Sequence, residues 1–195
     1  LIPACFLTFI WFSVGVFPKP LLINKSGFSQ TVYDRNDKLL RLSLSSDEKY
    51  RLWVPLEKIP ENLIKSTLLQ EDKWFYYHLG INPFSLVRAI YKTYLSKQRT
   101  EGGSTISMQL ARQRFAVNSR SISGKIKQIL YTLLLERYYS KDDLLEAYLN
   151  IAPYGSNIEG VAAASLIYFR KSIELISLPE ALTLAVLPQS PSART

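Results

Sequence analysis

The chain has 195 residues, 47% of them hydrophobic, and carries 24 Lys and Arg against 16 Asp and Glu, a net charge of +8. A single cysteine, Cys5, excludes an internal disulfide, and with His78 the only histidine a zinc site is not expected. The length suits one domain with a small appendage, and the basic balance points to anionic partners: nucleic acid, anionic lipid heads or phosphorylated substrates.

Residues 1–17 (LIPACFLTFIWFSVGVF) carry no charge, and Lys19 and Lys25 follow. The run is at the short end of a membrane span, so residues 1–19 are read as a transmembrane anchor, incomplete at its start. The alternatives are a signal-peptide core or a buried helix. Residues 20–56 read as a small β stalk. Phe28 to Tyr33 alternates loosely, Arg35-Asn36-Asp37 is a turn, Lys38 to Ser45 alternates more clearly, and Arg51 to Leu56 makes a third strand.

From residue 57 to 195 the signal is helical. Pro60 suits a first helical position, and Gly80 and Pro83 end one helix and open another, running to Ser96. TEGGST is a turn, and Ser104 is the expected N-cap of a helix to Phe115. SISGKIKQILYTLLLERYYS is the next helix, and Ser140 caps SKDDLLEAYLN. PYGSN (153–157) breaks that helix, and Ile158 to Tyr168 and Pro179 to Leu187 complete the set. The chain stops at PQSPSART without a clear terminal element, which reads as a fragment.

Several residues are of types that carry chemistry. A helix from Pro60 turning about 100° per residue places Ile64, Leu68, Glu71, Phe75 and His78 on one stripe, with Asp72 near its edge. Burial against Leu68 and Phe75 raises the expected pKa of Glu71 and suits it to general base work; the alternative is a rim carboxylate paired to a cation. His78 is more simply a structural histidine closing the helix. In GGSTISMQLAR, two glycines allow close approach of a ligand, and the helix start attracts an anion. Thr105, Gln109 and Arg112 fall on one face there. The Walker A ending is absent, and an ordinary capped turn is the alternative. Lys125 and Gln128 share a face, which also describes a solvated helix surface. Basic residues are spread along the chain and no nucleic-acid motif is present, so nucleic acid is not the expected partner.

Taken in order, these segments resemble the peptidoglycan glycosyltransferase domain, glycosyltransferase family 51, of class A penicillin-binding proteins. EDKWFYYHLGINPFSLVRA resembles its first motif, GGSTISMQLAR its second, GKIKQ its third, SKDDLLEAYLN its fourth and GVAAASLIYF its fifth. The methionine before Gln109, Arg112 and APYG after Asn150 look most like the C type. The resemblance implies a mainly α, lysozyme-like fold and a processive inverting transferase. The substrates implied are lipid II and the growing glycan strand, and the place is the outer face of the bacterial cytoplasmic membrane. It implies Glu71 as the catalytic base. It implies Asp72, Phe75, His78, Arg88, Ser104, Thr105, Gln109, Arg112, Lys125, Gln128 and Asn150 as substrate-binding positions. It further implies Mg2+ near the pyrophosphate, and as partners the membrane and cell-wall synthesis proteins. Exposed apolar residues after Pro83 suit contact with the bilayer.

Two departures stand out. The family's third motif reads Arg-Lys-x-x-Glu, and here Gly124 and Gln128 replace the arginine and the glutamate. Arg112-Gln113 replaces Lys-Asn in the second motif, keeping the charge and adding bidentate geometry. A lytic transglycosylase or lysozyme-like hydrolase, and a weakly active or inactive membrane-anchored scaffold, are the competing expectations. No transpeptidase domain is present in these 195 residues.

Overall fold

The computed structural model describes residues 17–23, 27–36, 39–82, 104–119 and 121–189. The expected anchor lies almost wholly outside them, as do Arg88, the expected helix from Pro83 to Ser96 and the two glycines of the GGST turn. Among the described residues no helix is long and apolar enough to cross a membrane. The chain divides into two compact units, the first made of Leu1–Leu22 and Trp74–Leu144, the second of Ile23–Lys73 and Leu145–Thr195.

The second unit contains all four described strands. β1 (Thr31–Tyr33) and β2 (Leu39–Leu42) form an antiparallel hairpin, with Thr31 opposite Leu42 and an irregularity between Val32 and Tyr33. β3 (Tyr50–Arg51) runs parallel to β4 (Ile158–Glu159). The third strand of the expected stalk is therefore paired with a segment more than a hundred residues away. Its anchor is Arg51, whose Nε donates to Glu159 at 3.0 Å and whose Nη2 donates to Asp47 at 3.0 Å. Ile158 and Glu159 were expected to begin a helix. They form a strand because the turn before them closes on itself, with Ile158 N–H donating to the Gly155 carbonyl and Tyr154 N–H to that of Ile158.

Helix α1 (Glu61–Glu71) follows Pro60, which is its N-cap rather than its first residue. Its fully buried side chains are Leu63 and Thr67, while Ile64 and Leu68 are half-buried. The helix stops at Glu71, because Asp72 leaves the helical conformation at φ −160° and a short 3-10 turn (Phe75–Tyr77) follows. The single stripe reaching His78 is thus broken.

The first unit is built on two helices, α2 (Ile106–Arg114) and α3 (Ile122–Tyr138), packed on each other. Gly124, Gln128, Thr132 and Leu135 are the buried side of α3, and Ile122, Ile126 and Leu130 are exposed on the opposite side. Gly124 is a packing requirement: a Cβ there would fall 1.8 Å from the Asn118 carbonyl oxygen. Residues 17–22 are held by hydroxyl groups of Tyr138 and Tyr139, which donate to the carbonyls of Phe17 and Pro20.

α4 (Lys141–Ile151) begins in the first unit and continues in the second. Ser140 caps it as expected, its Oγ accepting from Asp143 N–H at 3.1 Å while Asp143 Oδ2 accepts from Ser140 N–H at 2.9 Å. α5 (Val161–Ala164) runs into a π-helical turn (Ser165–Phe169). α6 (Leu178–Val186) packs on α1 and starts with a capping box of Ser177 and Glu180. The described architecture is mainly helical with two small sheets.

Candidate active site

The expected site residues divide between the two units, and each set is described within its own. In the second unit, α1 carries Glu71 at its last position. Its Oε1 is buried and the residue as a whole is half-buried. The Tyr154 hydroxyl is fully buried and is pushed far above the usual phenol range, first by burial and then by the negative charge of Glu71. A carboxylate and a phenol thus lie within electrostatic reach of each other away from water. Tyr154 is held on both sides of its backbone, since its N–H donates to Ile158 and its carbonyl accepts from the Tyr168 hydroxyl at 2.7 Å. Asp72 is buried at the helix end, its N–H donating to the Leu68 carbonyl at 2.9 Å.

Asn150 was expected to touch substrate. The structure gives it a different occupation. It is fully buried, its Oδ1 accepts from Val54 N–H at 2.8 Å, and its Nδ2 donates to the carbonyls of Val54 and Glu146 at 2.8 and 2.9 Å. The amide is spent on clasping the chain at Val54 to α4.

In the first unit, Lys125 stands beside the start of α2, and Arg112 lies in the last turn of that helix. Thr105, not Ser104, is the N-cap: its Oγ1 accepts from Met108 N–H at 3.1 Å and donates to the Gly80 carbonyl at 2.5 Å. The hydroxyl one residue further in reaches the helix N–H groups, which leaves Ser104 to accept from Lys125 Nζ at 3.3 Å. Lys125 also donates to Gln128 Oε1 at 3.0 Å. Its pKa is lowered, first by burial and then by the Arg112 guanidinium, so two cations stand within Coulomb reach. Gln109 lies half-buried on α2.

Gln128 has no exposed surface, and its Nε2 donates to the Met108 carbonyl at 2.6 Å. It supports Lys125 from beneath rather than offering itself to a ligand. Phe75 is likewise buried, its ring covered by the Lys141 ammonium at 4.6 Å. His78 is half-buried with Nδ1 inside, edge-on to Phe75 at 6.4 Å. Sequence reasoning missed Tyr154 and the Glu136–Lys141 pair. The first sits in a segment that reads as a helix break, and the second in one that reads as an exposed helix end.

Within the second unit a buried carboxylate oxygen suits proton transfer, and within the first a helix start with two nearby cations suits an anionic group. The transglycosylase family model matches residues 36–195. The chain belongs to the transglycosylase family. Relatives within curated proteins include penicillin-binding protein 1A of Aquifex aeolicus, 40% identical over 73% of this chain, and penicillin-binding protein 1C of Escherichia coli, 36% identical over 97%. Penicillin-binding protein 1A of Rickettsia conorii is 37% identical over 83%. The resemblance to class A penicillin-binding proteins, the C type among them, is thereby borne out. This transglycosylase chain spans 20 to 24% of the length of those relatives.

Proposed function

We propose that the chain is a lysozyme-like peptidoglycan glycosyltransferase domain that polymerises lipid II by inverting transfer in bacterial cell-wall synthesis. Glu71 takes the proton from the 4-hydroxyl of the incoming lipid II sugar. That oxygen attacks the anomeric carbon of the growing strand, and the bond to the polyprenyl pyrophosphate breaks with the electron pair leaving on the phosphate oxygen. Arg112 and Lys125 meet the charge that develops there, aided by the partial positive charge at the start of α2. The observation that carries the reading is the buried oxygen of Glu71 at the end of α1 in a chain of this family.

The resemblance implies Mg2+, but the donors of the cationic set do not fit it. Lys125 bonds the Ser104 hydroxyl and the Gln128 amide and lies beside Arg112. Hydroxyl, amide and two cations do not make a divalent-cation site, which takes carboxylates and water. No step is therefore derived through a metal.

The charge-free run of residues 1–17 supports a single-pass anchor, and the outer side of the cytoplasmic membrane is the placement the family resemblance implies. That placement suits a lipid-linked substrate. The test is incubation of the purified chain with lipid II. Glycan polymer with release of polyprenyl pyrophosphate is the expected result. Soluble fragments released from sacculi, with no polymer from lipid II, overturn it in favour of a hydrolase.

A further inference from the structure

The first unit holds a buried carboxylate to which the proposed mechanism assigns nothing. Glu136 lies in the last turn of α3 with its side chain only 4% exposed. Its Oε1 accepts from Lys141 Nζ at 2.8 Å and from Ser107 Oγ at 2.5 Å. The same Lys141 ammonium lies over the face of Phe75. Asp142, the next residue, accepts from the Tyr76 hydroxyl at 2.9 Å. Gly80 completes the arrangement. It adopts φ +80°, and a Cβ there would fall 2.7 Å from both Glu136 Cγ and Thr132 Cγ2. One carboxylate therefore joins three segments: the turn from Phe75 to Gly80, the first turn of α2, and the start of α4.

A buried ion pair is a poor way to gain stability, because desolvation of both charges offsets their attraction and an apolar pair of similar volume does as well. What it supplies is direction. The ammonium has a defined place over a ring, a site favoured by the ring's quadrupole, and a hydroxyl donor fixes the carboxylate's second contact. Ser107 belongs to the first turn of α2, the end beside Lys125 to which the proposed function assigns the anion, while Arg112 lies in that helix's last turn.

We infer that Glu136 is a positioning residue: through Ser107 it sets the first turn of α2, and through Lys141 it sets Phe75 and the adjoining His78 turn. The identity of the anion as a diphosphate rests on the proposed function.

The test compares wild type with Glu136→Gln, Lys141→Met and the double variant. The readouts are Tm, the dissociation constant of inorganic pyrophosphate, and KM and kcat with lipid II. Each single variant strands a buried partner and lowers Tm. The double variant removes both charges together and recovers Tm. The inference expects that this refolded double variant still binds pyrophosphate weakly and shows a KM roughly ten- to a hundredfold higher, with a smaller change in kcat. Lys141→Arg, which keeps a cation for both carboxylate and ring, stays close to wild type. A double variant with wild-type Tm, pyrophosphate affinity and KM overturns the inference. Should the double variant fail to fold, Glu136→Asp decides: weakened pyrophosphate binding at unchanged Tm supports the inference, and unchanged binding overturns it. Failure of the wild type to polymerise lipid II retires the proposed function alone, because the pyrophosphate comparison still decides the role of Glu136.

Discussion

At the scale of single residues, the side chains that matter are those whose polar atoms are inside. Gln128 is the clearest, since its amide donates one way and accepts the other. Glutamate at this position, as in the family's usual third motif, would face the Met108 carbonyl with an acceptor. Glu at 128 is therefore expected to cost about 1–3 kcal/mol, read as a lower urea midpoint for Gln128→Glu; an unchanged midpoint contradicts it. Lys125 carries a pH signature. Burial and Arg112 lower its pKa from 10.5, so it loses its proton at a lower pH than an ordinary lysine. Pyrophosphate binding is expected to weaken on the alkaline side before pH 10.5 is reached, and Lys125→Met to remove that step from the titration. The sequence pointed to Lys125 and Gln128 as one face of one helix. It did not show that Gln128 is buried beneath Lys125, because its Met108 partner lies twenty residues away.

At the scale of elements, the capping signals were legible where they are local. Ser140 caps α4 as expected, with the Asp143 carboxylate three residues on returning the bond, and the helix that Pro179 helps to start is present as well. The errors lie where tertiary pairing decided. Ile158 and Glu159 have helical neighbours in sequence but a strand partner in β3. The helix carrying Glu71 ends nine residues before Gly80, because Asp72 leaves the helix and the next turn is fixed through Lys141 and Asp142. No local pattern announces that stop.

The capping box of α6 makes a pH prediction at this scale. Lys171 first, and the Ser177 groups next, hold Glu180 down to about 2 from 4.5. Its folded pKa is depressed, so its contribution is fully present above pH 4.5 and is lost as pH falls towards 2. Glu180→Gln is expected to lower Tm at pH 7 and to leave it unchanged near pH 2; equal losses at both would contradict the assignment. Gly124→Ala is the packing counterpart, expected to cost about 3 kcal/mol through its clash with Asn118.

At the scale of the whole molecule, charge is unevenly divided. The first unit holds twelve Lys and Arg against four Asp and Glu, whereas the second holds twelve of each. The entire net charge of +8 thus belongs to the unit that carries Arg112 and Lys125. The total was visible in the sequence, but its partition was not, because each unit is assembled from two separate stretches of chain. An anionic donor attracted by that unit is screened by salt. KM for lipid II is expected to rise between low and physiological ionic strength while kcat changes little; a salt-independent KM contradicts this. The same partition separates the chemistry: the carboxylate lies on a neutral unit and the cations on a basic one.

The account turns on Glu71, and the rate of glycan polymerisation from lipid II by Glu71→Gln, measured beside wild type at matched Tm, tests it most directly. Loss of general base catalysis predicts a fall of roughly 10²–10⁴-fold with lipid II binding retained. A variant that polymerises within a few-fold of wild type would contradict the assignment of the base, and with it the mechanism.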